Sequence, residues 1–411
     1  MDNPFLRYVL LAALTVAYAT AGRYADARRL FDIHPIPAQD RSNDMALVAE
    51  SARLTTFLLD GDIVEAEALA SELLERSTRE GGHRSICANL CASLLADAFY
   101  ELDRIDDARE LIANRFGLLH SSVPDVIVRT NLSRSRLDLL QKGPDAALVF
   151  LREQIAHLRS LGQIRPVAHL LAEQIRVSLI KGQRRHAIEL LHALQALAHE
   201  YGTQLGGRAE LPALAALAQA RILVREDSHA ALQALAKVKD FAERFHRGRL
   251  GVLADLLSAA VLEDLKRHDQ ALVCLRRAVD AAQRLGLVRT LLDEGALSEK
   301  LLCALASTPL QDPVRQYVDA LIEKLTGPCA PNLATPRARH PTTPGRQPSL
   351  TPREREILSL VAQAMSSKRI AHTLDITLET VKWNLRNIFA KLGVSSRYDA
   401  MVQARNQKLI D

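Results

Sequence analysis

Aromatic side chains are scarce in this chain, with one tryptophan, seven tyrosines and nine phenylalanines among 411 residues. That scarcity, with no sustained alternation of Val, Ile and Thr, argues against sandwich and barrel folds, whose strands draw on aromatic and β-branched residues. Long apolar runs are missing as well. Nothing approaches the roughly 20 uninterrupted apolar residues of a membrane-spanning helix, so no membrane partner is expected. The cysteines are few: Cys87, Cys91, Cys274, Cys303 and Cys329. Their odd number and scatter exclude a disulfide framework and read as reduced thiols packed in helices of a cytoplasmic protein. His83, Cys87 and Cys91 share a helix face at steps of four, but no fourth ligand accompanies them, so packing is the stronger reading and no metal is expected. No G-x-x-x-x-G-K-[ST] loop is present to cradle a phosphate, and the 13 histidines are dispersed without a nucleophile, base and orienter group. The chain is therefore expected to have no cofactor and to be no enzyme.

What is abundant is Ala, Leu, Arg and Glu, the composition of helices, and the fold class is read as all-α. The body repeats itself. A loop with Gly, Asp or basic residues, then an alanine opening a Leu-rich helix, recurs as "AGRYADARRL", "DGDIVEAEAL", "LDRIDDAREL", "KGPDAALVFL", "KGQRRHAIEL", "REDSHAALQAL" and "KRHDQALVCL". With Ala27, Ala66, Ala108, Ala146, Ala187, Ala230 and Ala271 as markers, the intervals are 39, 42, 38, 41, 43 and 41 residues. Two helices per period of about 40 residues predict an α-solenoid of tetratricopeptide-like repeats over residues 1–325. The alanine lets helix backbones approach, and the leucines three and four positions on fill the groove between units. Such an array names no ligand; its concave face takes a peptide, a protein or a small effector. One rival begins at the N-terminus, where Ala19-Thr20-Ala21 after an apolar stretch resembles a leader cleavage site and would make the array an exported one.

Residues 326–349 hold six prolines, three arginines and no acid, a linker that can neither pack a core nor run as a helix. The net charge of +5 hides an asymmetry: from residue 327 onward 13 Lys and Arg stand against six acids, leaving 40 against 42 in residues 1–326. A polyanion would be met by the last fifth of the chain.

Helical patterning resumes over residues 350–411 in short pieces. Thr351 as N-cap, Pro352 at the first helical position and Glu354 three residues after the cap start one helix. Ser366 or Ser367 caps a second, and after the turn at Asp375 to Thr377 a third runs through "LETVKWNLRNIFAKL". Val381, Leu385, Ile388 and Leu392 form its apolar face, with Ile357, Leu360, Ile370 and Leu374 completing a small core. Lys382, the lone Trp383 and Arg386 point away from that face. Two short helices about a tight turn, the second basic, describe a helix-turn-helix.

The stretch "LTPREREILSLVAQAMSSKRIAHTLDITLETVKWNLRNIFAKLGVSSRYDAM" resembles the LuxR-type (FixJ/NarL-like) DNA-binding domain nearly end to end. The resemblance implies a four-helix domain whose third helix enters the major groove of double-stranded DNA and whose fourth pairs two copies, so a homodimer on DNA is expected, with RNA polymerase a further candidate partner. It places Lys382, Trp383 and Arg386 on the base-reading face, Trp383 against a thymine methyl or sugar edge, with packing against the scaffold helix the alternative for that ring, and assigns phosphate contacts to Lys368, Thr377, Thr380, Lys391 and Arg397. Ala364, Ser367, Arg369 and Asn384 depart from the usual pattern and leave the base preference open. Upstream, "GLVRTLLDEGALSEKLL" at residues 286–302 is similar to the segment closing the repeat domain of the large ATP-binding, MalT-like regulators. Their nucleotide-binding module has no counterpart here, so the chain reads either as a short member working without ATP or as the C-terminal part of a longer one. The implied function is a transcription regulator whose repeat domain binds an effector or partner; the alternative is an interaction scaffold or antagonist with weak, non-specific DNA binding.

Overall fold

The computed structural model describes residues 3–82, 85–113, 123–203, 206–326 and 352–362, together with 365, 370, 373, 374, 381, 385 and 388. Among these the secondary structure is all-α, without a strand. Two compact units divide the chain, Met1–Thr335 and Pro336–Asp411.

In the first unit, seven helix pairs follow one another among the described residues. They are α1 (Pro4–Thr20) with α2 (Tyr24–Ile33), α3 (Asp44–Asp60) with α4 (Ile63–Gly81), α5 (Ile86–Glu101) with α6 (Ile105–Ala113), and α7 (Pro124–Lys142) with α8 (Pro144–Ser160). The next are α9 (Ile164–Ile180) with α10 (Arg184–Tyr201), α11 (Leu211–Leu223) with α12 (Ser228–Arg244), and α13 (Gly248–Asp264) with α14 (His268–Leu285). Short α15 (Arg289–Leu292), α16 (Ala296–Ala306) and α17 (Asp312–Thr326) finish the unit. Polar residues in the turns start several of these helices: Asn43, Asp62, Ser85 and Asp227 each accept a hydrogen bond from a first-turn amide, a cap contributing about 0.5–2 kcal/mol.

The two helices of a pair are built differently. The second carries one buried stripe: Ile63, Ala66, Ala70, Leu73 and Ser77 on α4, and Ala271, Leu275, Ala278, Val279 and Ala282 on α14. Spacing of three and four confines the apolar contacts to one face and leaves the other to solvent. The first helix is buried on most sides in the inner pairs, and on α5 every residue from Cys87 to Glu101 is buried; α1, at the end of the array, leaves Phe5, Leu6, Leu10 and Leu14 exposed. Five of the marker alanines, Ala27, Ala66, Ala108, Ala187 and Ala271, are buried at the pair contact. On α8 and α12 the buried residue is instead Ala147 or Ala231, because the turn ahead of each helix sets its register one residue later.

The stack does not stay open. Besides the contacts between neighbours expected of a repeat array, α3 packs on α13, α1 on the 3₁₀ turn Gly206–Glu210, and α5 on α15. The approach is close. Gly22, at φ +74°, lies against the backbone of Phe245, and a Cβ on Gly248 would fall 2.2 Å from the carbonyl oxygen of Asp60. The turn of the first pair is thus seated on the turn before the seventh, α3 is seated on α13, and the buried helices line an interior.

In the second unit, α18 (Pro352–Ala362) starts at the proline expected to open it. Ile357, Leu358, Ile370, Val381, Leu385 and Ile388 are buried. Leu360 and Leu374 are half-buried, and Leu392 lies outside the described residues.

Candidate functional site

The interior of the first unit holds an ionic layer that the sequence reading did not anticipate. Asp97 on α5 accepts from Arg129 Nη1 (2.6 Å) and Ser133 Oγ (3.2 Å), both on α7. Asp125, also on α7, accepts from Arg129 Nε (2.9 Å) and from Arg165 Nη2 on α9 (3.1 Å). Arg165 Nε and His169 Nε2 each lie 2.6 Å from Glu210 Oε1. Glu173 is held between Arg176 (2.6 Å) and Arg136 (3.4 Å). Burial alone would push these carboxyls up; the guanidinium groups beside them outweigh it and hold Asp97, Asp125, Glu173 and Glu210 below the usual carboxylate range. Each charge is buried but answered, as a dry interior requires.

Residues 286–302 complete the layer. The amide of Thr290 donates to Glu101 Oε1 (2.6 Å) and that of Val288 to the Glu101 carbonyl. Asp293 accepts from Tyr100 Oη (2.9 Å) and from Arg289, and Glu294 pairs with Arg221 on α11. The segment therefore joins the enclosed helices α5, α9 and α11; on α9, Arg176 reaches the carbonyl of Asp293.

Arg247, in the turn before α13, clasps the closure. Its Nη1 donates to Tyr24 Oη (2.7 Å) and the Ala19 carbonyl (3.2 Å), and its Nη2 to the Thr20 carbonyl (2.8 Å). Tyr24 donates in turn to the carbonyl of His246 (2.8 Å), and burial pushes the phenol up to about 12, so it stays protonated. Beside this clasp lies a cavity of about 150 Å³, walled by Asp97, Arg129, Arg136, Glu173, Arg221 and Arg247 on its polar side and by leucines of α3, α11 and α13 on the other. Arginines and carboxylates at steps of three or four, such as Asp125 with Arg129 and Glu173 with Arg176, were the signal available beforehand; on an isolated helix that spacing reads as a solvated face.

Of the cysteines, Cys87 and Cys91 are buried with their sulfurs 3.7 Å apart, and the Cys91 thiol is held well above its usual range by the hydrogen bond with Cys87 and by burial. Cys274 is half-buried, Cys303 is exposed, and Cys329 and His83 lie outside the described residues. Among the described residues no helix is long and apolar enough to cross a membrane. No group of three or more His, Cys, Asp or Glu among them is placed to hold a metal.

In the second unit the sequence-derived candidates Lys382, Trp383, Arg386, Lys368, Thr377, Thr380, Lys391 and Arg397 all lie outside the described residues. What is described there is the apolar face behind them: Val381, Leu385 and Ile388, buried at steps of four and three. Residues 348–404 match the model of the family "Bacterial regulatory proteins, luxR family". This segment is a LuxR-family helix-turn-helix domain. The nitrate/nitrite response regulator NarL of Escherichia coli (strain K12) is 40% identical over 89 residues, 22% of this chain and 40% of NarL. The regulator AlkS of Ectopseudomonas oleovorans is 29% identical over 211 residues, 49% of this chain and 22% of AlkS. MalT of Vibrio campbellii is 28% identical over 151 residues, 34% of this chain and 17% of MalT. The AlkS and MalT alignments are too long for the LuxR-family domain alone and so include part of the helical unit. The chain spans well under half the length of each of these relatives.

Proposed function

We propose that the chain is a sequence-specific DNA-binding transcription regulator in which the helical unit binds an effector or partner and thereby controls the LuxR-family domain. The observation that carries the reading is the family match over residues 348–404, with the apolar face of its third helix buried as a reading helix requires. Lys382, Trp383 and Arg386 are assigned to base edges, and Lys368, Thr377, Thr380, Lys391 and Arg397 to phosphates. A homodimer on paired half-sites is the expected form, with RNA polymerase a further candidate partner. No enzymatic role is assigned: the relatives are regulators, and the domain's chemistry is hydrogen bonding and charge. The cavity, lined by helices from most of the repeat unit and next to the clasp formed by Arg247, supports effector binding there.

The test is selection of random double-stranded DNA on the full chain at near-physiological salt. Enrichment of two half-sites at fixed spacing is expected, and the double variant Lys382→Ala, Arg386→Ala should lose the motif while keeping salt-sensitive binding. Binding without any enriched motif would instead favour the scaffold or antagonist reading, in which the basic C-terminal fifth meets DNA only as a polyanion.

A further inference from the structure

We propose that the interior cavity of the helical unit is a site for a small monocarboxylate with a short apolar body, held by the guanidinium groups of Arg136, Arg221 and Arg247. The inference rests on the reading of that interior as the effector site and names the chemistry of what enters it. Three arginines of the cavity wall each keep a buried N–H without an acceptor: Nη1 of Arg136, Nε of Arg221 and Nε of Arg247. Arg247 differs from the rest of the layer. It is 5% exposed, and its hydrogen bonds go only to neutral oxygens, those of Ala19, Thr20 and Tyr24, whereas Arg136 and Arg221 each pair with a carboxylate. A buried cation that lines a cavity and whose hydrogen-bond partners are all neutral is matched by an anion of the ligand.

The other wall sets the rest of the ligand. Leu58, Leu217 and Leu253 face the same space, so an ion polar all round, such as sulfate or phosphate, would lose water on that side and gain nothing. A cavity of about 150 Å³ takes about six non-hydrogen atoms, the size of benzene. A planar carboxylate on a branched three-carbon body meets both requirements. Because the Nη atoms of Arg247 already hold the C-terminal end of α1, a carboxylate on the same guanidinium fixes its plane and favours the closed stack. Ligand occupancy and closure are thereby linked.

The experiment is thermal unfolding of the full chain titrated with isobutyrate, against isobutyramide of the same shape without the charge and against sulfate. A saturable rise in Tm with isobutyrate is expected, with isobutyramide and sulfate at least tenfold weaker. Arg247→Gln should abolish the response; since that change also loosens the clasp, Leu217→Phe, which fills the cavity and leaves every charge in place, should weaken isobutyrate at least tenfold. No saturable rise with isobutyrate, an equal rise with isobutyramide or sulfate, or an unaltered response in Leu217→Phe would each overturn the proposal. The DNA selection on the same preparation separates the two readings. A motif without an isobutyrate response removes the ligand and leaves the regulator; an isobutyrate response without a motif does the reverse.

Discussion

Glu173 lies 4% exposed between Arg136 and Arg176, and Glu173→Gln would leave two buried cations sharing an amide. Removing one member of a buried ionic group costs about 3–5 kcal/mol, so the urea midpoint should fall sharply at unchanged m. The pair of Glu75 with Arg79 is the contrast: at 76% and 64% exposure it is screened by water, and Glu75→Gln should change stability by about 0–1 kcal/mol. In the LuxR-family domain the same reasoning separates reading from positioning. Lys382→Ala or Arg386→Ala should each cost about 1–3 kcal/mol of discrimination between cognate and mismatched DNA. Lys368→Ala or Lys391→Ala should weaken all sequences alike and lower the salt slope by about one; competition binding at two salt concentrations measures both. Those assignments rest on a dense motif in the sequence, and the competition binding is what tests them. The acid–base pairs of the interior were not, since Asp125 and Arg129 on one helix look the same whether water or another helix lies opposite.

At the scale of helices, the second member of each pair announced itself. One buried stripe at steps of three and four, opened by a small residue after a polar turn, is a pattern that local sequence alone can display. Its register was less secure, and on α8 and α12 the buried alanine is one residue beyond the marker, since the turn decides where a helix begins. What a repeat pattern does not encode is how tightly successive pairs wind, and so whether the first pair meets the seventh. That depends on small rotations accumulated over the whole array. Gly248 marks the outcome: with Asp60 O at 2.2 Å and Leu285 Cδ1 at 2.8 Å from any Cβ, Gly248→Ala must push α13 off the end of α3. Overpacking of this kind costs about 1–3 kcal/mol or more. The loss should exceed that of an alanine substitution at exposed Glu75, and hydrogen exchange should show it first in the amides at the ends of α1 and α3.

For the helical unit as a whole, the closed ionic layer makes stability a function of pH. Asp97, Asp125, Glu173, Glu210 and Asp293 are held below their ordinary range by neighbouring guanidinium groups against the opposing effect of burial. The unfolded chain, with Asp near 3.9 and Glu near 4.3, therefore binds more protons than the folded one once the pH falls through about 4. The stability these five groups give is complete above that range and is lost as the pH drops toward their folded values. Asp60 and Glu101 oppose the trend, burial raising both; their contribution is present below the unfolded values and lost as pH rises through the folded ones. Five groups against two, the balance below pH 4 is acid lability. The urea midpoint should hold between pH 7 and 5, then fall steeply from pH 4 to 3, with the slope reduced in Glu173→Gln because one proton-binding group is gone. A midpoint flat down to pH 3 would mean that the carboxylates are solvated rather than paired. Closure is what gives this unit an interior, and the paired charges that line it are what make its stability depend on pH.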